Sequence, residues 1–524
     1  MSKMLNPENK KGGVLGAGFL LPHPPVIVPE VGKGQEAKAA QTIFALKTVA
    51  AEIDRLQPDT VVLLSPHAPM FSDYVFMYNS PVLEGDLRRF GASLRLSFDQ
   101  DTALLAEMER LMQAARLPGG RLDSATMRRN QLENTLDHGA VVPLYYLSSL
   151  YKDFRLVAMA PSALDLQRLY QLGQIIRKAA ENLDRKIVVV ASGDMSHRVN
   201  EESPYGACPE GAAFDRQLVE KLRQGDFSGL FTINHDLREK AAECGYRSLI
   251  VLLGALEGQN PEAQVLSYEA PFGIGYCVAT FKPQGQYLDP AHGQSAGQTE
   301  AQADGQAENT ANDDRYRSTE SPLTELQAKL AAKSKTCSVF VQLARQTLEE
   351  YVQTGRIRPL KKEDFLPPNS NPGERNTSER NEQINRMWSE KAGVFVSLKK
   401  FGELRGCIGT TGPTTSCIAE EIRQNAISAG TQDPRFDPVT AEELPFLEYS
   451  VDVLGKPMPV QSKAELDPKK YGVIVTKGGR RGLLLPDLEG VDTVEEQLEI
   501  ACRKAMIDPH GTYEISKFTV TRYK

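Results

Sequence analysis

Short apolar runs alternate with amphipathic stretches over the first half of the chain. The runs at 14–21, 60–65, 154–160 and 186–192 each end in a polar or Pro-rich turn. Runs of that length without polar alternation predict strands buried on both faces, the first within 12–21. Between them, Ile43, Leu46, Val49, Ile53 and Leu56 recur at three- and four-residue steps inside 36–57. Leu104, Met108 and Leu111 follow the same rule. That spacing predicts helices with one apolar face. Alternating strands and helices predict an α/β domain, with a central, mostly buried sheet flanked by helices.

The pattern changes in the second part. The residues predict a helix over 323–354 and strands at 393–399, 403–408, 446–454, 471–476 and 482–486. Further helices are predicted at 414–428 and 492–506, and a last strand near 513–522. This is an α+β domain with antiparallel pairs. Between the two parts, 284–322 is rich in Gln, Ala, Gly, Asp and Asn and nearly empty of large apolar residues after Leu288. Such a stretch buries too little surface to offset its chain entropy, so it reads as a flexible linker. The expected organisation is a domain at 1–283, the linker at 284–322 and a domain at 323–524.

Charge narrows the classes of partner. Lys and Arg number 61 against 68 Asp and Glu, a net −7, which is a solubility charge and no nucleic-acid footprint. No apolar run approaches the roughly 18–20 residues that span a bilayer. Lys10 and Lys11 precede an apolar run as in a signal peptide, but Pro22, His23, Pro24 and Pro25 interrupt it and no small-residue cleavage site follows directly. A cytoplasmic, membrane-free protein is expected. The seven cysteines are odd in number and form no CxxC pair, which argues against a disulfide framework and a zinc ribbon.

The histidines carry the chemistry. His23 follows the first strand, His67 the "LLS" strand and His197 the "IVVVAS" strand. Ligands of α/β sheets bind at the carboxyl ends of strands, so these three point toward one crevice. His138, just before an apolar helix, is placed to face the same crevice, while His235 lies in a polar stretch and has no assigned role. Histidine is both the commonest ligand of transition metals and a general acid or base. Two His and one carboxylate on one face of a metal suit non-haem Fe(II). Glu243 and Cys244, at the start of an apolar helix, are the candidates for a third ligand. Each also has a structural reading, as a helix-start carboxylate or a small buried hydrophobe.

Together, "PHPP" at 22–25, "SPHAP" at 65–69, "DHGAVVPL" at 137–144, "SGDMSH" at 192–197 and the helix at 243–256 make residues 12–282 resemble the class III extradiol ring-cleavage dioxygenases (LigB-type catalytic subunit) and the related Memo family. The dioxygenase resemblance implies Fe(II) held by His23, His67 and Glu243, with His197 as acid/base and His138 contacting substrate or a ligand. Its implied substrates are a small aromatic diol and O₂. The Memo resemblance implies Cys244 in the ligand set and Asp194, three residues before His197, in the site. Its implied chemistry is metal or redox binding without ring cleavage. A zinc hydrolase on the same crevice is a third reading. In the second part, "LRGCIGT" at 404–410, "DPRFDPV" at 433–439 and "LEYSVDVL" at 447–454 resemble the AMMECR family. Cys407 is there either a reactive or a buried structural thiol. Arg405 is either an anion ligand or a carboxylate's partner. The fusion resembles systems whose third member is a radical SAM protein, which implies such a partner.

Overall fold

The computed structural model describes residues 15–284, 321–357, 359–366, 375–488 and 490–524. Most of the linker expected at 284–322 lies outside them. The chain divides into two compact units, Met1–Glu325 and Leu326–Lys524.

In the first unit the strands are β1 (Leu15–Leu21), β2 (Thr60–Leu64), β3 (Val75–Met77), β4 (Val82–Asp86), β5 (Arg95–Asp99), β6 (Gly119–Arg121), β7 (Thr135–Leu136), β8 (Arg155–Met159), β9 (Ile187–Ser192), β10 (Glu262–Glu269) and β11 (Tyr276–Lys282). Eight of them form one sheet in the order β10-β11-β1-β9-β2-β8-β3-β6. β1, β9, β2 and β8 are mutually parallel neighbours, and β11 closes on β1 antiparallel. Every residue of β1, β2 and β9 is buried, as continuous apolar runs require of a sheet covered on both faces. β5, β4 and β7 make a small separate sheet. Its alternating buried and exposed positions lack the apolar runs that mark the parallel strands.

The helices of ten residues or more are α1 (Ala40–Leu56), α2 (Thr102–Ala114), α3 (His138–Leu147), α4 (Leu166–Asn182), α5 (Pro209–Gln224) and α6 (Tyr246–Ala255). One face of the sheet meets α1 and α3 through Phe19, Leu21, Leu46, Val49, Leu63, Val141 and Leu144. α4 and α6 pack so closely that a Cβ at Gly173 would stand 2.0 Å from the Val251 carbonyl oxygen, and one at Gly254 2.0 Å from that of Tyr170. Only glycine permits that approach.

The second unit has two four-stranded antiparallel sheets. One holds β12 (Val394–Lys400), β13 (Glu403–Gly409), β14 (Leu447–Leu454) and β19 (Val520–Tyr523). The other holds β15 (Met458–Pro459), β16 (Gly472–Lys477), β17 (Arg480–Leu484) and β18 (Glu514–Phe518). The helices are α7 (Pro322–Thr336), α8 (Val339–Thr354), α9 (Arg375–Ser389), α10 (Ile418–Thr431) and α11 (Val494–Lys504). Alternate residues Val394, Val396 and Leu398 of β12 pack on α8 and α10. Leu498, Ala501 and Cys502 of α11 pack on the second sheet.

Two sequence expectations are corrected here. The helix expected over 323–354 is two, because the Ser338 hydroxyl accepts from the Val341 amide and caps a new helix. The strand expected near 513–522 is also two, β18 and β19, which join different sheets.

Candidate metal centre

The strand order places the centre. β9 lies between β1 and β2, so the carboxyl ends of these three neighbours deliver His23, the 192–197 turn and His67 to one place. His23 Nε2 lies 3.0 Å from His67 Nε2 and 3.7 Å from Cys244 Sγ. The donor atoms of His23, His67 and Cys244 all lie within 4.8 Å of one another. Metal–nitrogen and metal–sulfur bonds of about 2.0–2.3 Å put neighbouring ligand atoms about 3–4 Å apart, which the 3.0 and 3.7 Å separations from His23 Nε2 match.

Glu243, the expected carboxylate ligand, is not in the group. Its Oε2 accepts from the Tyr246 amide at 2.7 Å and so caps the start of α6. The glutamate therefore has the helix-start role, and the adjacent cysteine faces the histidines.

Hydrogen bonding fixes the tautomer of His23. The Ser192 hydroxyl donates to the Gly139 carbonyl at 2.5 Å. Its one proton is thereby used, so at 2.8 Å from His23 Nδ1 it can only accept. His23 then carries its proton on Nδ1 and presents the Nε2 lone pair. Burial, then the neighbouring His67, His138 and His197, push the His23 pKa well below its ordinary value. Burial also lowers that of His67, against the pull of Asp137. Both rings are neutral donors near pH 7.

Asp194 ties the His23 and Cys244 segments together. Its Oδ1 accepts from the His23 amide at 2.8 Å. Its amide donates to Cys244 Sγ at 3.3 Å, and its carbonyl accepts from the amides of Cys244 and Gly245 at 3.3 and 3.1 Å. Gly193 stands against Gly245 so tightly that a Cβ there would fall 1.9 Å from the Gly245 Cα. Burial pushes the Asp194 carboxyl up to about 6. Burial, then Asp194 and Glu243, push the Cys244 thiol well above its ordinary value. A buried thiol among carboxylates becomes a thiolate when a metal cation supplies the missing positive charge. The donor set fits a transition metal on this ground as well as on size.

The other expected residues surround the three donors. His138 opens α3 and stacks on His67, with ring centroids 4.3 Å apart. Burial and His67 lower its pKa to about 4. His197 donates from Nδ1 to the Ala242 carbonyl in a short hydrogen bond, which leaves Nε2 as an acceptor. Its electrostatic influence reaches His23, His67 and Asp194. Two exposed aromatic residues lean on these rings: Phe90 lies 5.2 Å from His138 and Tyr205 5.5 Å from His197. Sequence reasoning missed both, because neither belongs to a motif. It also missed Asp137, which accepts from Ser65 at 2.6 Å and Tyr78 at 3.2 Å beside His67.

The family described as the catalytic LigB subunit of aromatic ring-opening dioxygenase matches residues 17–279, about half of the chain. The chain belongs to the LigB family. Residues 341–524 match the AMMECR1 family, so this LigB protein carries an AMMECR1 domain after its LigB domain. Protein CA_C1420 of Clostridium acetobutylicum is 40% identical over 97% of this chain and 99% of its own length. A Thermotoga maritima protein is 50% identical over 35% of this chain and 97% of its own. The crystal structure of PH0010 from Pyrococcus horikoshii is 32% identical, covering 35% of this chain and 88% of that one at a TM-score of 0.29.

In the AMMECR1 domain of this LigB protein, Arg405 pairs with Glu443 through two bonds of 2.8 and 2.9 Å. Lys400 joins the same carboxylate at 3.1 Å. Cys407 is half-buried. Its sulfur accepts from the Ser397 hydroxyl at 3.1 Å, and its amide donates to Asp433 at 2.8 Å. Burial pushes this thiol up. Among the described residues no helix is long and apolar enough to cross a membrane.

Proposed function

We propose that the LigB domain is a metal-dependent oxidoreductase, with one iron(II) ion or a similar divalent metal held by His23, His67 and Cys244. The observation that carries this reading is the convergence of two neutral imidazoles and one thiol whose donor atoms lie within 4.8 Å of one another. When bound, such an ion supplies Lewis acidity and one-electron chemistry. The chain's own residues do the rest. Ser192 holds the His23 proton on Nδ1, and Asp194 holds the His23 and Cys244 backbones together. His197 presents Nε2 as the proton acceptor for a bound hydroxyl. A thiol in place of the carboxylate favours Memo-like redox or metal binding over ring cleavage, because thiolate donation alters metal preference and redox behaviour.

Ring opening of an aromatic diol with O₂ is the second reading. It is favoured by the LigB match over 17–279 and by the rings of Phe90 and Tyr205 beside His138 and His197. The deciding experiment is anaerobic loading with Fe(II), addition of nitric oxide and EPR with and without catechol. A high-spin iron–nitrosyl signal indifferent to catechols fits the Memo-like chemistry. A signal that shifts with catechol establishes the dioxygenase reading. Failure of the protein to retain any divalent metal refutes both.

A further inference from the structure

Asp215 lies on α5, outside every motif that the metal centre uses. Its helix buries Gly211, Phe214, Leu218, Val219 and Leu222 on the same stripe, and Asp215 itself is 0% exposed. A carboxylate on an apolar stripe is costly to bury unless fixed donors satisfy it. Both oxygens have one. Oδ1 accepts from the Ser196 amide at 2.7 Å, and Oδ2 accepts from the Tyr268 hydroxyl at 2.7 Å. The backbone of Gly275 closes the other side, since a Cβ there would stand 1.9 Å from Oδ2.

The place where Asp215 grips the chain matters. Ser196 sits between Asp194 and His197. The same short segment is pinned to Gly275 by Met195 N to Gly275 O and Gly275 N to Ser196 O, each 2.8 Å. Asp194, two residues away, bonds the His23 amide with its side chain and the Cys244 amide with its carbonyl. A shift of the Ser196 amide therefore moves a residue that bonds the backbones of both donors. Supporting bonds of this kind orient ligands and commonly govern metal affinity about 10–100-fold.

We infer that Asp215 is a positioning residue of the metal centre, which through the Ser196 amide holds the His23 and Cys244 donors in register. The inference rests on the metal-centre reading above. It also accounts for a buried carboxyl group that the acid–base chemistry does not use.

The test is anaerobic titration of the full metal-free chain with Co(II), read by thiolate-to-cobalt charge transfer in the near ultraviolet and the ligand-field bands in the visible. Asp215→Asn should behave as wild type, because its carbonyl oxygen accepts from Ser196 and its amide donates to Tyr268. Asp215→Ala should bind Co(II) about 10–100-fold more weakly and shift the bands. Asp215→Glu keeps the carboxyl group but reaches one methylene too far, and should shift them too, which covers the case in which the alanine variant does not fold. Leu218→Ala, on the same buried stripe, should lose thermal stability yet keep the wild-type spectrum. Wild-type affinity and bands in folded Asp215→Ala or Asp215→Glu overturn the inference alone. So do equal shifts in Leu218→Ala. A wild-type chain with no thiolate band overturns the metal-centre reading itself, and the inference with it.

Discussion

At the scale of single residues, the candidate centre separates into three grouped donor atoms, of His23, His67 and Cys244, and atoms that orient them. His23→Ala or His67→Ala deletes one of the three grouped donors. His197→Ala deletes a ring already tied through Nδ1 to the Ala242 carbonyl, outside the three-donor group. The first two variants should lose bound metal after anaerobic loading, measured by atomic emission on desalted protein. The third should retain it near one ion per chain. Full retention in both ligand variants would show that the metal sits elsewhere. The histidines were legible in the sequence because strand ends in a parallel sheet converge, and three of them close such strands. The choice between Glu243 and Cys244 was not legible. Adjacent residues at a helix start point in directions that differ with the cap, and the cap is fixed by which carboxylate reaches the Tyr246 amide. Asp215 did leave a trace, as a charge on an otherwise apolar helical stripe, but its partners come from Ser196 and Tyr268, distant in the chain.

At the scale of elements, apolar runs located four strands of the first unit's large sheet but not β11, although six of its seven residues are buried. β1, β2, β8 and β9 read as apolar runs. β4 and β5 alternate buried and exposed positions with charged residues among them, and β3 and β6 are three residues each. Strand pairing between distant segments, which decides that β18 and β19 belong to different sheets, has no local signature. In the AMMECR1 domain one ion cluster connects β12 and β13 to the turn before β14. Burial pushes Glu443 up, but the Arg405 hydrogen bonds and the Lys400 and Arg405 charges outweigh it and hold the carboxyl at about 2. A depressed carboxyl contributes stability that is complete above its unfolded value and lost as pH falls through the folded one. The window here runs from about pH 4.5 down to about pH 2, and the shift is worth about 3 kcal/mol. Glu443→Gln should flatten that acid limb. At neutral pH it should cost about 3–5 kcal/mol, since it takes the carboxylate from two largely buried cations. Trp388, the single tryptophan, lies in this domain with its ring 5.7 Å from Phe365. Urea titrations followed by its fluorescence therefore read this domain alone. An unchanged midpoint in Glu443→Gln at pH 7 would show the cluster to be stability-neutral.

At the scale of the whole molecule, each unit has its own hydrophobic core. Phe19, Val61 and Val141 belong to the first, and Val394, Ile422 and Val451 to the second. The boundary at Glu325 and Leu326 falls three residues from the expected start of the second domain. Units with separate cores in one chain make a single unfolding free energy ill-defined, and they also offer a way to test for coupling. A metal that binds only the folded LigB domain stabilises that domain by about 2.7 kcal/mol at a free concentration one hundred times its dissociation constant. Calorimetry of the full chain should then resolve two transitions, of which divalent metal raises one. The Trp388 fluorescence midpoint should stay in place, because that residue packs with Phe365 and Met387 in the second core. A Trp388 transition that moves with the metal would mean that occupancy at His23, His67 and Cys244 is communicated to the AMMECR1 domain. The fusion would then act as one regulated unit, with the metal as its switch.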